Sequence, residues 1–237
     1  MTMASVFAIC NAFFPDRIVR NGPFKGMKYL DFDQYHCNLF PKLLGSYEHE
    51  LSETINEILT KEFRTVINIG CAEGYYSVGF ARRFKSAMIH AYDIDPDAQK
   101  LCLDMAKINS VEGRVIIYDY FGINQIKAMP DNETLLICDC EGYEKELFSS
   151  HTAPYFKHCH LLIETHDCFE LGISKQIKDA LCNSHHIQSI YSIEDSKKPE
   201  SYNFEEVDFL PMRWKEMLLA ERRIGPMEWL FLTPKLS

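Results

Sequence analysis

Two short runs hold most of the side chains that could do chemistry. Asp139 and Glu141 stand in Cys138-Asp-Cys-Glu-Gly-Tyr-Glu144, directly behind an apolar run at 134–138. Glu164, His166 and Asp167 stand in Leu162-Ile-Glu-Thr-His-Asp167, at the end of a second apolar run. Carboxylates beside an imidazole suit proton transfer. His166 is the candidate general base, with an unperturbed pKa near ~6.5, and Asp139 and Glu141 are its candidate catalytic partners. The same side chains offer a second chemistry, because Asp139, Glu164, His166 and Asp167 could gather a divalent ion. The metal-free base is the preferred reading. The plainer alternatives are acids favoured by a helix N-terminus and an ordinary turn histidine.

A third run points to a ligand. In Thr65-Val-Ile-Asn-Ile-Gly-Cys-Ala-Glu-Gly-Tyr75 an apolar strand enters a turn bounded by Gly70 and Gly74, and a helix follows. Glycine there permits positive φ and close backbone approach to a ligand, so a β-branched residue at 70 is expected to block binding without unfolding the chain. Asp93 closes the next strand in Ala91-Tyr-Asp-Ile-Asp95. An acid about 20 residues past such a turn can accept ribose hydroxyls, which indicates an adenosine-containing ligand.

These residues need elements that bring them together, and the hydropathy pattern supplies them. Short apolar strands are expected at 65–69, 87–92, 114–118, 134–138, 160–165 and 187–193, alternating with helices at 48–63, 75–84, 96–108, 144–149 and 173–183. Strands of about five apolar residues separated by helices imply an α/β fold with a parallel sheet covered on both faces. A helix at 212–223 and a strand at 228–233 are placed at the sheet edge. Residues 1–47 read as an N-terminal extension covering the active-site end. Residues 48–237 read as a Rossmann-like domain in which 194–226 form a substrate-side insertion. Aromatic residues in the two outer segments, among them Phe24, Tyr35, Phe40, Tyr202 and Trp214, suit either a pocket wall or core. His185-His186 and Lys197-Lys198 read as surface.

The turn does not favour a dinucleotide. In a G-x-G-x-x-G pattern starting at Gly70 the second glycine would fall at Ala72 and the third at Tyr75, so a pyrophosphate lacks its cradle. S-adenosylmethionine has no phosphate to seat. At this point Ile-Gly-Cys-Ala-Glu-Gly-Tyr-Tyr-Ser, Ala-Tyr-Asp-Ile-Asp-Pro and Cys-Asp-Cys-Glu-Gly-Tyr-Glu-Lys-Glu-Leu together resemble the FkbM-type class I methyltransferases, over about 43–193. The resemblance implies a seven-stranded, mostly parallel sheet with helices on both faces and the last strand antiparallel. It also implies S-adenosylmethionine as methyl donor and oxygen as the commonest acceptor. By the same resemblance, Glu48, Asn68, Gly70, Cys71, Ala72, Glu73, Gly74, Tyr75, Asp93, Ile94, Asp119, Tyr120 and Asp139 are the cofactor-binding set. Asp119 is aimed at the adenine amino group, and Tyr47 or Glu48 lies near the methionine end. Asn68 stands where the family usually has an acid, and Ala72 replaces the middle glycine of the GxGxG form.

Bulk properties exclude several classes. A net charge of −9 over 237 residues argues against a broad nucleic-acid footprint. No apolar run reaches the ~18–20 residues that cross a bilayer. The nine cysteines are odd in number and irregular in spacing, which reads as reduced thiols in a cytoplasmic protein. The partner expected is a small-molecule or sugar-type acceptor, with no nucleic acid and no membrane. The oligomeric state is open, and a homodimer is compatible with the sequence. A nicotinamide-dependent oxidoreductase and a non-catalytic binding module of the same fold are the competing readings.

Overall fold

The computed structural model describes residues 3–30, 38–130 and 133–235. Seven strands form one sheet: β1 (Thr65–Ile69), β2 (Met88–Tyr92), β3 (Val115–Tyr118), β4 (Thr134–Cys138), β5 (His160–Thr165), β6 (His185–Tyr191) and β7 (Glu228–Pro234). Their order is β3-β2-β1-β4-β5-β7-β6. The pairs among β1 to β5 are parallel, and β7 runs antiparallel to both β5 and β6.

Burial dictates this arrangement. β1 and β4 are almost wholly inaccessible, as central strands covered on both faces must be. Alternate side chains feed two apolar layers. Val66, Leu135, Ile137 and Leu162 face one layer, and Ile67, Ile69, Leu136 and Ile163 the other. Register then aligns the functional ends. Ile69 lies level with both Tyr92 and Cys138, and Cys138 lies level with Ile163. The chain therefore leaves β1, β2, β4 and β5 side by side at strand spacings of ~4.8 Å, on either side of the point where strand order reverses.

Several expectations need correction. β7 is not at the sheet edge but between β5 and β6, because its all-apolar face needs two neighbours. β6 begins two residues earlier than its apolar pattern indicates, so His185 lies inside the sheet. It is 1% exposed, with Nε2 against the Cys159 carbonyl and Nδ1 against Ser184 Oγ. The expected helix over 48–63 is a 3₁₀ turn, His49–Leu51, followed by Ser52–Ile58. The helix from Met212 stops at Leu219, and the chain to β7 has no regular secondary structure. Phe24 sits edge-on to Tyr75 and Phe80 at 5.2 Å each, inside the main core. Phe40 and Tyr202 are buried too, Trp214 is half exposed, and Tyr35 lies outside the described residues. The eight described cysteines are all free thiols; Cys37 lies outside the described residues. No helix among the described residues is long and apolar enough to cross a membrane.

Gly70 has φ +76°, and a Cβ built there would collide with the backbone carbonyl of Asp139. The glycine is required by the neighbouring strand end, not only by a ligand. Gly70→Val is therefore expected to destabilise the fold itself, by about 3 kcal/mol or more. A melting curve within a few degrees of the parent protein would overturn this.

Candidate active site

The sheet's carboxyl edge carries two adjoining cavities. The first, of about 410 Å³, is lined by Ile69, Gly70, Ala72, Tyr92, Asp93, Ile94, Asp119, Tyr120, Phe121, Asp139, Cys140, Glu141 and Tyr143. Its walls are mainly aromatic and aliphatic, and Ile94, 81% exposed, stands at its rim. The second, of about 220 Å³, is lined by Asn38, Tyr47, Asp139, Glu141, Glu164, His166, Cys168, Phe169, Arg222, Arg223, Ile224 and Met227. Asp139 and Glu141 belong to both.

The first cavity's floor is a strained turn held by an acid. Ala72 has φ +44°, in the left-handed region that usually calls for glycine. Its amide donates to Asp93 Oδ2 at 2.8 Å, while the Asp95 amide donates to Asp93 Oδ1 at 3.0 Å. Each carboxylate oxygen retains a lone pair for a ligand hydroxyl. Asp95 caps the helix Pro96–Ile108 through the Asp97 amide. Asp119 and Tyr120 follow β3 into the cavity. Not every residue of the expected cofactor set is there. Asn68 is buried and donates to Ser77 Oγ at 2.8 Å. Glu73 is buried against Tyr29 and Lys42. Cys71 and Tyr75 are buried in the core, and Gly74, at φ +97°, starts the helix Tyr75–Arg83.

In the second cavity His166 is the central group. It is 2% exposed. Nδ1 lies 2.9 Å from Glu144 Oε1, and Glu144 also accepts the amides of Cys140 and Gly142 at 2.8 Å each. Glu144 thus fixes both the ring and the loop that carries Asp139 and Glu141, where Glu141 sits at φ +56°. Nδ1 donating to Glu144 leaves Nε2 as the acceptor of the neutral ring. Nε2 stands 3.5 Å from Asp139 Oδ1, 3.5 Å from Glu141 Oε2 and 3.7 Å from Glu164 Oε2. Asp167 is not in this cluster. Its carboxylate accepts the amides of Gly172 and Ser174, at 2.7 and 3.1 Å, and so starts the helix Ile173–Leu181.

Electrostatics follow from this crowding. Burial raises the Glu164 carboxyl, Asp139 and Glu48 raise it further, and Arg223 and His166 oppose them. Loss of water and the nearby Glu48 likewise raise Asp139. Burial favours neutral His166, but the hydrogen bond to Glu144 and the carboxylates of Glu144, Glu164 and Glu141 outweigh it, so its pKa is raised. Burial alone would raise Glu144; His166 and the backbone amides bring it down instead.

Behind the cluster runs a chain of buried charges. Arg223 donates to Glu164, to Glu48 Oε1 at 2.8 Å and to Glu221 Oε2 at 3.0 Å. Tyr76 donates to the other oxygen of Glu48. Glu221 Oε1 lies 2.6 Å from Lys198 Nζ, which is also 3.1 Å from Asp195 Oδ1. Lys198 is fully buried, contrary to the solvated pair expected at 197–198. The sequence reading missed Glu144, Lys198, Glu221 and Arg223. Glu144 was visible as the last acid of the Asp-x-Glu-Gly-x-Glu block. Arg223 read only as the last residue of the helix expected at 212–223.

No family model matches the chain, and no curated protein matches it in sequence. Solved structures do match. A protein assigned as an O-methyltransferase, from Klebsiella pneumoniae, aligns with a TM-score of 0.53 at 7% identity, over 79% of this chain and 80% of that one. A domain assigned as a precorrin-6Y C5,15-methyltransferase, from Corynebacterium diphtheriae, aligns with a TM-score of 0.50 at 16% identity, over 81% and 98%. A protein assigned as an rRNA methylase, from Clostridium thermocellum, aligns with a TM-score of 0.50 at 12% identity, over 78% and 97%. The fold is the Rossmann-like methyltransferase fold. At these identities the likeness concerns architecture alone.

The buried chain yields a test. Lys198→Met takes from buried Glu221 one of its two cations and leaves it Arg223 alone, which costs about 1.5–3 kcal/mol, whereas the exposed neighbour change Lys197→Met stays within about 0.5 kcal/mol. Denaturant unfolding of both variants checks the contrast; equal midpoints would refute it.

Proposed function

We propose that the chain is an S-adenosylmethionine-dependent methyltransferase of the FkbM type that methylates oxygen on a small hydroxyl-bearing acceptor. One observation carries the reading: Asp139 and Glu141 wall both an apolar, adenosine-sized cavity and a polar cavity containing His166. A donor and an acceptor seated in the two cavities would meet at that shared wall. The first cavity fits an adenosine group, with a carboxylate at its rim and aromatic walls. When bound, S-adenosylmethionine supplies an electrophilic methyl group on a sulfonium. Asp93 would hold the ribose hydroxyls, Asp119 would face the adenine, and Asp139 would lie toward the methionine end. In the second cavity His166 Nε2 would take the acceptor hydroxyl proton, and Glu144 would hold the ring in place and stabilise its charged form. Glu164 and Asp139 would orient the acceptor.

A second reading has its own observation. Ligand atoms of Asp139, Glu164 and His166 lie within 4.8 Å of one another, a set that could hold a divalent ion. The metal-free base is preferred because Arg223 already places a cation on Glu164.

Calorimetry is expected to show binding of S-adenosylmethionine and S-adenosylhomocysteine and none of NAD; the reverse pattern would sink the proposal. Asp93→Ala is expected to lower the affinity for S-adenosylhomocysteine by roughly 10- to 100-fold. Transfer of a labelled methyl group to a panel of alcohols and sugars tests the base. His166→Ala is expected to lose about 10²–10⁴ in kcat. The base must be neutral, and its pKa is raised above 6.5. The acid limb of the parent's rate profile should therefore lie above that value and vanish in the variant. EDTA should leave turnover unchanged; loss in EDTA with recovery in Mg²⁺ would replace the base with the metal.

A further inference from the structure

The polar cavity has two unlike sides. One is built at the ends of β4 and β5 and presents Asp139, Glu141, Glu164 and His166. The other is built from the segment after β5 and the segment before β7; it presents Cys168, Phe169, Ile224 and Met227, with Arg222 and Arg223 preceding Ile224 on the second segment. Cys168 Sγ and Met227 Sδ touch at 3.9 Å, which makes the soft side continuous across the two segments. Phe169 lies flat on the His166 ring, with centroids 5.6 Å apart and planes at 8°, so the soft side begins where the base ends.

Among the described residues, the outer part of that soft side is exposed. Phe169 is 52% exposed and Ile224 78%, and Leu171, two residues beyond Phe169, is 92% exposed. Single exposed apolar residues are ordinary. Here two of them line one cavity, beside its carboxylates and His166. Neither packs into the core, although β5 and β7 on both flanks are mostly buried.

We infer that the acceptor is an amphiphile: one hydroxyl on an aryl or alkyl body. This inference rests on the methyltransferase reading above. The hydroxyl points to His166 Nε2, with Asp139 and Glu164 as its hydrogen-bonding neighbours. The hydrocarbon body lies along Met227, Ile224 and the free edge of Phe169. A polyol of equal size would leave the aliphatic side dry against hydroxyls that lose their water there, which is unfavourable. An apolar body gains from the same surface, at roughly 25 cal/mol per Å² removed from water.

The test uses the full chain saturated with S-adenosylhomocysteine, and benzyl alcohol against methyl β-glucoside as probes. Binding is read from the methyl resonances of Ile224 and Met227 and from calorimetry. Benzyl alcohol is expected to bind saturably and at least about tenfold more tightly than the glucoside. Phe169→Ala and Ile224→Asp are each expected to weaken it on the order of tenfold, the equivalent of about 60 Å² of apolar burial. Both side chains are half exposed or more, so these variants should fold, and neither lines the adenosine cavity, so affinity for S-adenosylhomocysteine should hold. Equal or tighter binding of the glucoside overturns the inference. So does benzyl alcohol binding that is non-saturable or indifferent to both substitutions. If S-adenosylhomocysteine itself does not bind, the failure lies in the methyltransferase reading. If it binds and the alcohol does not, only the acceptor inference falls.

Discussion

The guanidinium of Arg223 is the contact on which the site's geometry turns. Three of its nitrogens reach three carboxylates, Glu164 at the end of β5, Glu48 before the 3₁₀ turn His49–Leu51 and Glu221 on its own segment. A planar fork with fixed donor directions can hold three acids in one arrangement; a lysine cannot. Without it, Glu48, Glu164 and Asp139 would be mutually repelling acids in a dry pocket. Buried ion pairs of this kind add little net stability, because desolvation offsets the attraction, but they fix geometry. Lys198 extends the same logic outward. It neutralises Glu221, and Asp195 binds the Glu221 and Arg222 amides at 2.9 and 2.8 Å. The segment that delivers Arg223 is thereby pinned to the loop at 194–198.

Strain gathers at the same edge. Glu48, Ala72 and Glu141 all take positive φ without being glycine. Such conformations cost about 1–3 kcal/mol each and persist only where surrounding contacts enforce them. The enforcing contacts are visible: Asp93 holds the Ala72 amide, Glu144 gathers the loop around Glu141, and Arg223 and Tyr76 hold the Glu48 carboxylate.

The sequence made the frame legible because burial on both faces leaves an unmistakable mark. Thr65–Ile69, Thr134–Cys138 and His160–Thr165 are short runs dominated by apolar residues, and their boundaries agree with the strands found. The acids placed after β2, β4 and β5 were legible for the same reason, since a polar residue directly behind a buried strand has only the crevice to enter. Position along the chain did not reveal direction. Asp167 and His166 are neighbours, yet one caps a helix and the other faces the cavity. Asn68 stands before the turn between Gly70 and Gly74 and Glu73 within it, yet both point into the interior. Charges on the long segment before β7 were illegible, because a run such as Glu-Arg-Arg looks solvated until a distant acid buries it. Ala72 shows the limit of motif reading: the left-handed conformation survives without the glycine because Asp93 holds the amide.

The place of β7 bears on how the protein is made. It pairs with β5 through five residues and with β6 through seven, and it separates them completely. A chain synthesised only as far as β6 has no strand to fill that gap, and the hydrophobic faces of Leu161, Ile163 and Ile187 lack their neighbours. Arg223 emerges from the ribosome just ahead of β7, far behind Glu48, which it must join. The nascent chain therefore carries exposed strand edges and an uncompensated acid cluster until β7 and the segment before it appear. Closure of the sheet and assembly of the site are one event, so chains lacking β7 should be recognisable to chaperones by both features at once.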